Sequence, residues 1–385
     1  MIYVVGAGPA GSYFAGLMAE KGYAVTVFED HDIIGDPCQC TGIVTSSIQE
    51  LLPLDPSVVM NHISKVKVVA PSGNSLQFSI RDIILDRPGF DRYVARVARE
   101  KGAAIFTGHR FTGIEGDCII IEESKRRKRF RFTNEDILVG ADGPNSSVAK
   151  AAGIFGERKF YFSSQAAAKL DIPKDTYEVY LGNEFCPEFF AWVVPESEGV
   201  VRIGLGTLGR KTSAYFQKFL RFRLGEEYRS KIISYQGGPI PYYDTRLEVQ
   251  KGNIYLVGDA AFQVKATTGG GIIQGMIAGR CLAEAITEKK DYKKLLKKRL
   301  NKDLWMSLQI RKVMNRFRDK DYNRLIELFN QERVKKVVEA HDRDYPSRFA
   351  VALLLREPRF LLFGRKIISF GSIFMLRNMK KLFSH

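Results

Sequence analysis

Apolar and polar positions at the start of the chain follow two periods in turn. Ile2-Tyr3-Val4-Val5 is an unbroken apolar run that predicts a buried strand, and Ser12 to Lys21 carries apolar residues at helical spacing. Gly6-Ala7-Gly8-Pro9-Ala10-Gly11 lies between them, and Ala24 to Phe28 predicts a second strand closed by Glu29. The design recurs twice. Ile137-Leu138-Val139 runs into Gly140-Ala141-Asp142-Gly143 and a helix. Ile254 to Val257 ends at Gly258-Asp259, after which Thr268-Gly269-Gly270-Gly271 opens a helix, starting near Ile272, that is predicted to reach about Glu288. Strands alternating with helices predict an α/β fold with a parallel sheet, and ligands of such sheets bind at the strands' carboxyl ends.

Other stretches change period. Ser64 to Ile80 alternates about Pro71-Ser72-Gly73-Asn74 and predicts a hairpin. A helix starts at Asp86-Arg87-Pro88, with Phe90, Tyr93, Val94, Val97 and Ala98 on one face. Strands at 103–107, 111–115 and 118–122 precede Lys125-Arg126-Arg127-Lys128-Arg129. That basic run lacks an aromatic platform, so it reads as a solvated hairpin tip and not as a nucleic-acid face. From 155 to 250 the α/β alternation gives way to aromatic-rich strand-like pieces, densest at Pro187 to Pro195, which predict an antiparallel sheet. The expected organisation is a discontinuous dinucleotide-binding domain (1–60, 81–154 and 251–288) interleaved with an antiparallel-sheet substrate domain (61–80 and 155–250). A basic helical C-terminal region (289–385) completes it.

Charge sharpens that last division. Residues 1–288 carry 33 basic and 33 acidic side chains, so the net charge of +16 comes entirely from residues 289–385. There, apolar clusters alternate with Arg356, Arg359, Arg365, Lys366, Arg377, Lys380 and Lys381, and no apolar run is long enough to span a bilayer. The pattern predicts a surface that lies on anionic lipid. Five scattered cysteines without a Cys-x-x-Cys pair argue against a disulfide framework or a structural zinc site. The opening strand leaves no room for a signal-peptide pattern, so a cytoplasmic, peripherally membrane-associated protein is expected.

The candidate chemistry starts at the first glycine turn. Gly6 permits a tight turn, Gly8 lets the backbone approach a pyrophosphate, Gly11 allows close helix packing, and Glu29 is placed to accept from ribose hydroxyls. An acid at this position suits an unphosphorylated ribose, as in FAD or NAD. Asp142 and Asp259 are two further acids at strand ends, and Arg92 is a candidate cofactor contact. Phe190 and Trp192, beside Pro187, are candidate wall residues.

Together, Gly6 to Gly11 with Glu29, Gly140 to Gly143, and Gly258-Asp259 through Gly271 resemble the flavoprotein fold of p-hydroxybenzoate hydroxylase. Within it the chain resembles the geranylgeranyl reductase family. Pro187-x-x-Phe190-x-Trp192-x-x-Pro195 is similar to that family's aromatic motif, and Cys40 stands at its active-site cysteine position. The resemblance covers residues 1 to about 285 and implies FAD, saturation of isolated isoprenoid double bonds and a prenylated lipid substrate. It also implies an external electron donor such as ferredoxin, NAD(P)H or a deazaflavin. By position, Gly6, Ala7, Gly8, Pro9, Ala10, Gly11 and Glu29 hold the ADP half of the cofactor, Arg92 contacts it, and Asp142 and Asp259 sit along its middle. Gly269, Gly270, Gly271 and Ile272 lie against the ring, while Pro187, Phe190 and Trp192 line the prenyl cavity. Lys265 and the helix N-terminus at Gly269–Gly271 are expected to favour an anionic reduced flavin, and Cys40 to position the alkene or help deliver the proton. Ala266 stands where many members carry proline, which implies a more pliable loop. A flavin hydroxylase and a non-catalytic prenyl-lipid-binding protein are the alternatives on the same fold.

Overall fold

Ile2–Val5 sits inside a six-stranded sheet and pairs in parallel with Val25–Phe28 on one side and Ile137–Gly140 on the other. Ile254–Leu256 adds in parallel beyond Ile137–Gly140, and Ala104–Phe106 beyond Val25–Phe28; Gln250–Lys251 closes one edge antiparallel. In a computed structural model of the chain, residues 1–209 and 211–368 are described. The register aligns Val5 with Phe28 and with Gly140, and Gly140 with Leu256. Because these four strands run the same way, the loops that follow them (Gly6 to Gly11, Glu29, Ala141 to Gly143 and Gly258-Asp259) emerge along one edge.

One face of this sheet is covered by the helices Pro9–Glu20, Arg87–Glu100 and Ile272–Thr287 around Phe14, Met18, Phe90, Met276 and Leu282, all fully buried. Burying each such side chain contributes about 1.5–3 kcal/mol. Small residues let two of these helices come close. A Cβ on Gly275 would lie 3.0 Å from the Gly258 Cα and 3.1 Å from the Ala10 Cβ. The opposite face packs on a three-stranded sheet, His109–Glu115, Cys118–Glu123 and Arg126–Arg131, through Phe28, Phe111, Ile119 and Leu138.

The predicted antiparallel unit is an eight-stranded sheet in the order Ile232–Pro241, Phe160–Lys169, Val200–Thr207, Ala191–Ser197, Thr176–Tyr180, Val59–Val69, Ser75–Leu85, Ile43–Thr45. Its pairings are antiparallel except that Thr176–Tyr180 runs parallel to Val59–Val69. The hairpin expected at 64–80 is longer at both ends, and Ile43–Thr45 joins the same sheet. Residues 43–45 and 81–85 thus extend the sheet into stretches assigned by sequence to the dinucleotide-binding unit. The basic run also differs from its expected form. The turn is Ser124-Lys125, both at positive φ, and the run continues as an edge strand in which Arg127 and Arg129 pair with Glu115 and Lys128 with Glu123.

Beyond Thr287 the basic stretch is helical as expected. Tyr292–Leu296 continues through a π turn into Lys302–Met314, followed by Asp319–Phe329, Glu332–Glu339, Ala350–Arg356 and Leu361–Ile368. Among the described residues no helix is long and apolar enough to cross a membrane. Arg377, Lys380 and Lys381 lie outside the described residues.

Candidate active site

The strand-end loops and the eight-stranded sheet enclose a cleft of about 890 Å³. Its glycine turn is built by steric necessity. Gly6 has φ +102°, and a Cβ there would lie 2.4 Å from the Ala141 carbonyl oxygen; a Cβ on Gly11 would lie 2.1 Å from the Gly6 oxygen. Gly8 meets nothing within 4 Å on its Cβ side, so the backbone at the N-terminus of Pro9–Glu20 is open to the cleft. Glu29 holds this turn from below, accepting from the Ala7 N–H at 2.8 Å and the His31 N–H at 3.1 Å. Burial pushes its carboxyl above the ordinary range, opposed by those hydrogen bonds. Unobstructed N–H groups at a helix start, with a carboxylate beyond the second strand, fit a dinucleotide's pyrophosphate and ribose.

Asp142 and Asp259 both line the cleft but differ in their bonds. Asp142 accepts from Ser146 Oγ and the Ser147 N–H, both at 2.6 Å, and from the Val148 N–H, so its carboxylate is tied to capping the short helix Ser147–Ala151. The Asp259 carboxylate accepts no hydrogen bond from any described residue. A Cβ on Gly271 would lie 2.9 Å from Asp259 Oδ1, which puts this carboxylate against the second glycine turn. Gly269 is at φ +71°, and Gly269, Gly270, Gly271 and Ile272 line the cleft beside Asp259.

Lys265 lies in the connection between these glycines and Asp259, and its ammonium is paired with Asp344, both side chains being buried. The positive charge expected beside the ring is thus paired with a carboxylate within the fold. Burial alone would raise the Asp344 carboxyl, but Lys265 and Arg343 hold it below the ordinary range. Arg343, in turn, pairs with buried Asp82, and Thr45 Oγ1 donates to Asp342 and Asp344. Arg311, from Lys302–Met314, holds the same connection by donating to the carbonyls of Ala266 (3.0 Å), Thr267 (2.6 Å) and Glu188 (3.4 Å). The loop at Ala266, expected to be pliable, is therefore held by an arginine.

Cys40 lines the cleft and accepts from the Gly42 N–H at 3.4 Å. Its loop is anchored to the large sheet through Arg202, which donates to the Cys40 carbonyl, and through Thr41, which donates to Gln165. The aromatic wall follows from two glycines on the neighbouring strand. Trp192 lies opposite Gly204, where a Cβ would be 2.6 Å from the indole, and a Cβ on Gly206 would be 2.5 Å from the Phe189 ring. Phe189, Phe190 and Trp192 line the cleft with Tyr177, Val179 and Leu181. The Trp192 indole N–H is buried and has no acceptor among the described residues.

Two predicted contacts lie elsewhere. Arg92 is exposed and does not line the cleft, because the helical turn places Arg87 and Asp91 on the inner face and rotates residue 92 outward. The pair of half-buried Arg87 and buried Asp91, at 3.0 Å, lines the cleft in its place; its i, i+4 spacing is the local signal. Pro187 is half-buried outside the lining, at the entry to the wall. Arg311, Arg343 and Asp344 are cleft or loop residues without a sequence signal, since their partners are distant carbonyls and acids.

Residues 163–240 match the model of the geranylgeranyl reductase catalytic domain, and residues 4–41 that of an NAD(P)-binding Rossmann-like domain. A digeranylgeranylglycerophospholipid reductase of Methanothermobacter thermautotrophicus is 30% identical over 91% of this chain and 98% of that protein. One from Methanococcoides burtonii is 30% identical over 77% and 78%. The chain belongs to the geranylgeranyl reductase family. Among solved structures, a geranylgeranyl bacteriochlorophyll reductase-like protein of Thermoplasma acidophilum superposes with TM-score 0.82 at 21% identity, covering 94% of this chain and 97% of that one. A flavin-dependent brominase gives 0.71 at 17% identity, covering 95% and 99%. At these identities the superpositions establish the fold family that the reductases share with other flavoproteins.

Burial pushes the Asp259 carboxyl up to about 6, with Arg87 pulling it down. The folded state thus keeps this proton to higher pH than the unfolded chain, and stability falls as pH rises from 3.8 to about 6. Asp259→Asn is expected to remove that fall and to melt above the parent at mildly alkaline pH when no cofactor is bound. Thermal unfolding across pH checks this; superimposable profiles would refute it.

Proposed function

We propose that this protein is an FAD-dependent reductase that saturates isolated C=C bonds of geranylgeranyl chains in archaeal membrane lipid precursors. The observation that carries this reading is the meeting, in one cleft, of a dinucleotide cradle and a long aromatic and aliphatic wall. A polar cofactor end and an extended apolar substrate require those two surfaces side by side. The names of the family's relatives supply the substrate class.

In this reading Gly6 to Gly11 and Glu29 hold the ADP half, Asp259 meets the ribityl and pyrophosphate side, and Gly269 to Ile272 lie against the ring. FAD, once reduced by an external donor, supplies the hydride. Phe190 and Trp192 exclude water and orient the alkene; Cys40 holds the alkene in place or provides a proton at its sulfur. An isolated alkene is unpolarised, so hydride and proton must arrive together in a dry site, which the apolar wall maintains. Ferredoxin, NAD(P)H and deazaflavin donors are distinguished by which of them bleaches the flavin.

The region after residue 288 is proposed to rest on an anionic membrane surface. Val351, Leu355, Leu361 and Leu362 are exposed, Leu355 at 77%, beside exposed Arg348, Arg356 and Arg359. Each basic residue near such a surface contributes about 1 kcal/mol.

Purified protein is expected to show flavin absorbance, to be bleached by dithionite, and then to add hydrogen to an unsaturated archaeal lipid by mass spectrometry, with Cys40→Ala slowing that step at least tenfold. A colourless protein, or a flavoprotein that oxygenates the lipid, would defeat the reading. In a separate sedimentation assay the protein should bind vesicles rich in anionic lipid over neutral ones, and Leu355→Asp with Leu361→Asp should weaken that binding severalfold. Equal binding to both vesicle types would remove the membrane role.

A further inference from the structure

Three cations that line the cleft have carboxylate partners: Arg87 with Asp91, Lys265 with Asp344, and Arg343 with Asp82. Arg311 does not. Among the described residues no acid lies within salt-bridge distance of its guanidinium, although the residue is 1% exposed. Its protein partners are the three carbonyls of Ala266, Thr267 and Glu188, and its guanidinium carbon lies 5.0 Å from the centre of the Phe189 ring. Those three bonds use three of a guanidinium's five N–H donors.

An enclosed positive charge without a counter-charge costs several kcal/mol unless something else compensates it. Carbonyl dipoles and an aromatic face do so in part and leave the net charge uncancelled. Arg311 lines the cleft together with Thr267, Thr268 and Gly269, at the turn that opens the helix Ile272–Thr287. Its field is therefore directed to the same end of the cleft as that helix's N-terminus, in a setting where little water screens it.

We propose that Arg311 is the positioning charge that favours the anionic form of the reduced flavin at the second glycine turn, the part that sequence reading gave to Lys265. The proposal rests on the flavin reading above. Arginine suits the role because it remains charged when enclosed, and because its fixed fork also holds the loop that carries the glycines. It comes from the C-terminal region, so that region supplies part of the reaction centre's electrostatics.

The test uses the FAD-loaded full chain. In the parent, anaerobic reduction should give the absorbance of the anionic reduced flavin. Equilibration against a dye of known potential should then show Arg311→Met displaced at least tenfold toward the oxidised form, about 30 mV for a two-electron couple. Arg311→Lys should recover most of that displacement. A purely structural role would weaken FAD retention in both variants and leave the potential of the bound flavin unmoved, which would overturn the proposal. A parent whose reduced flavin is neutral would overturn it without any variant, and would leave the reductase reading standing. A parent that binds no flavin would remove both.

Discussion

The buried pair Lys265–Asp344 is the central contact through which the last quarter of the chain becomes part of the cleft. Removing two charges from water costs several kcal/mol each, and only close pairing with further polar partners offsets it. Here Arg343 and Thr45 supply those partners, and Arg343 is itself held by Asp82 from the large sheet. One ionic cluster therefore joins the second glycine turn, the long hairpin strand and the segment at 342–344. A neighbouring bond follows the same route, Ser307 accepting from the Thr267 N–H at 3.0 Å, while Asp303 accepts from the Ser347 N–H at 2.9 Å within the C-terminal region. The C-terminal helices are clamped to the cofactor loop at several points.

Against that clamp the parallel sheet supplies a simpler constraint. Four strands running the same way deliver four loops to one edge, and each loop must stay thin to leave room for a ligand. Hence the close approaches at Gly6, Gly11 and Gly271, where a single methyl group would collide with backbone or with Asp259. Across the cleft the same logic is inverted. Gly204 and Gly206 give up side chains so that Trp192 and Phe189 can lie flat and form the apolar wall. Small residues on one surface make space for the cofactor's polar end, and on the other they seat the rings that exclude water.

Elements governed by local periodicity were legible in the sequence. The strand and glycine turn at Val5–Gly11 and the hairpin about Pro71–Asn74 depend on neighbours within a few residues, and the repeated strand, turn and helix order carries the parallel arrangement. What was not legible depends on distant partners. Lys265 beside three glycines reads as a charge near the ring, and the carboxylate that pairs with it, Asp344, lies 79 residues later. Arg92 faces outward because the helix turns Arg87 and Asp91 toward the cleft, and the Arg87–Asp91 spacing is the local sign of that rotation. Arg311 had no signal at all, since its partners are carbonyl groups, which every residue possesses. The boundary between the two domains was blurred for a related reason: Ile43–Thr45 is too short to announce a strand and is fixed only by pairing with Ser75–Leu85.

The central claim, that a buried ion pair welds the C-terminal region to the cofactor loop, is tested most directly by a double-mutant cycle on Lys265→Met and Asp344→Leu, read by denaturant unfolding. Each single change should destabilise the protein by about 3–5 kcal/mol, because it leaves the other charge enclosed and unpaired, and the double variant should recover most of that loss. Strictly additive losses, or single variants as stable as the parent, would contradict the account.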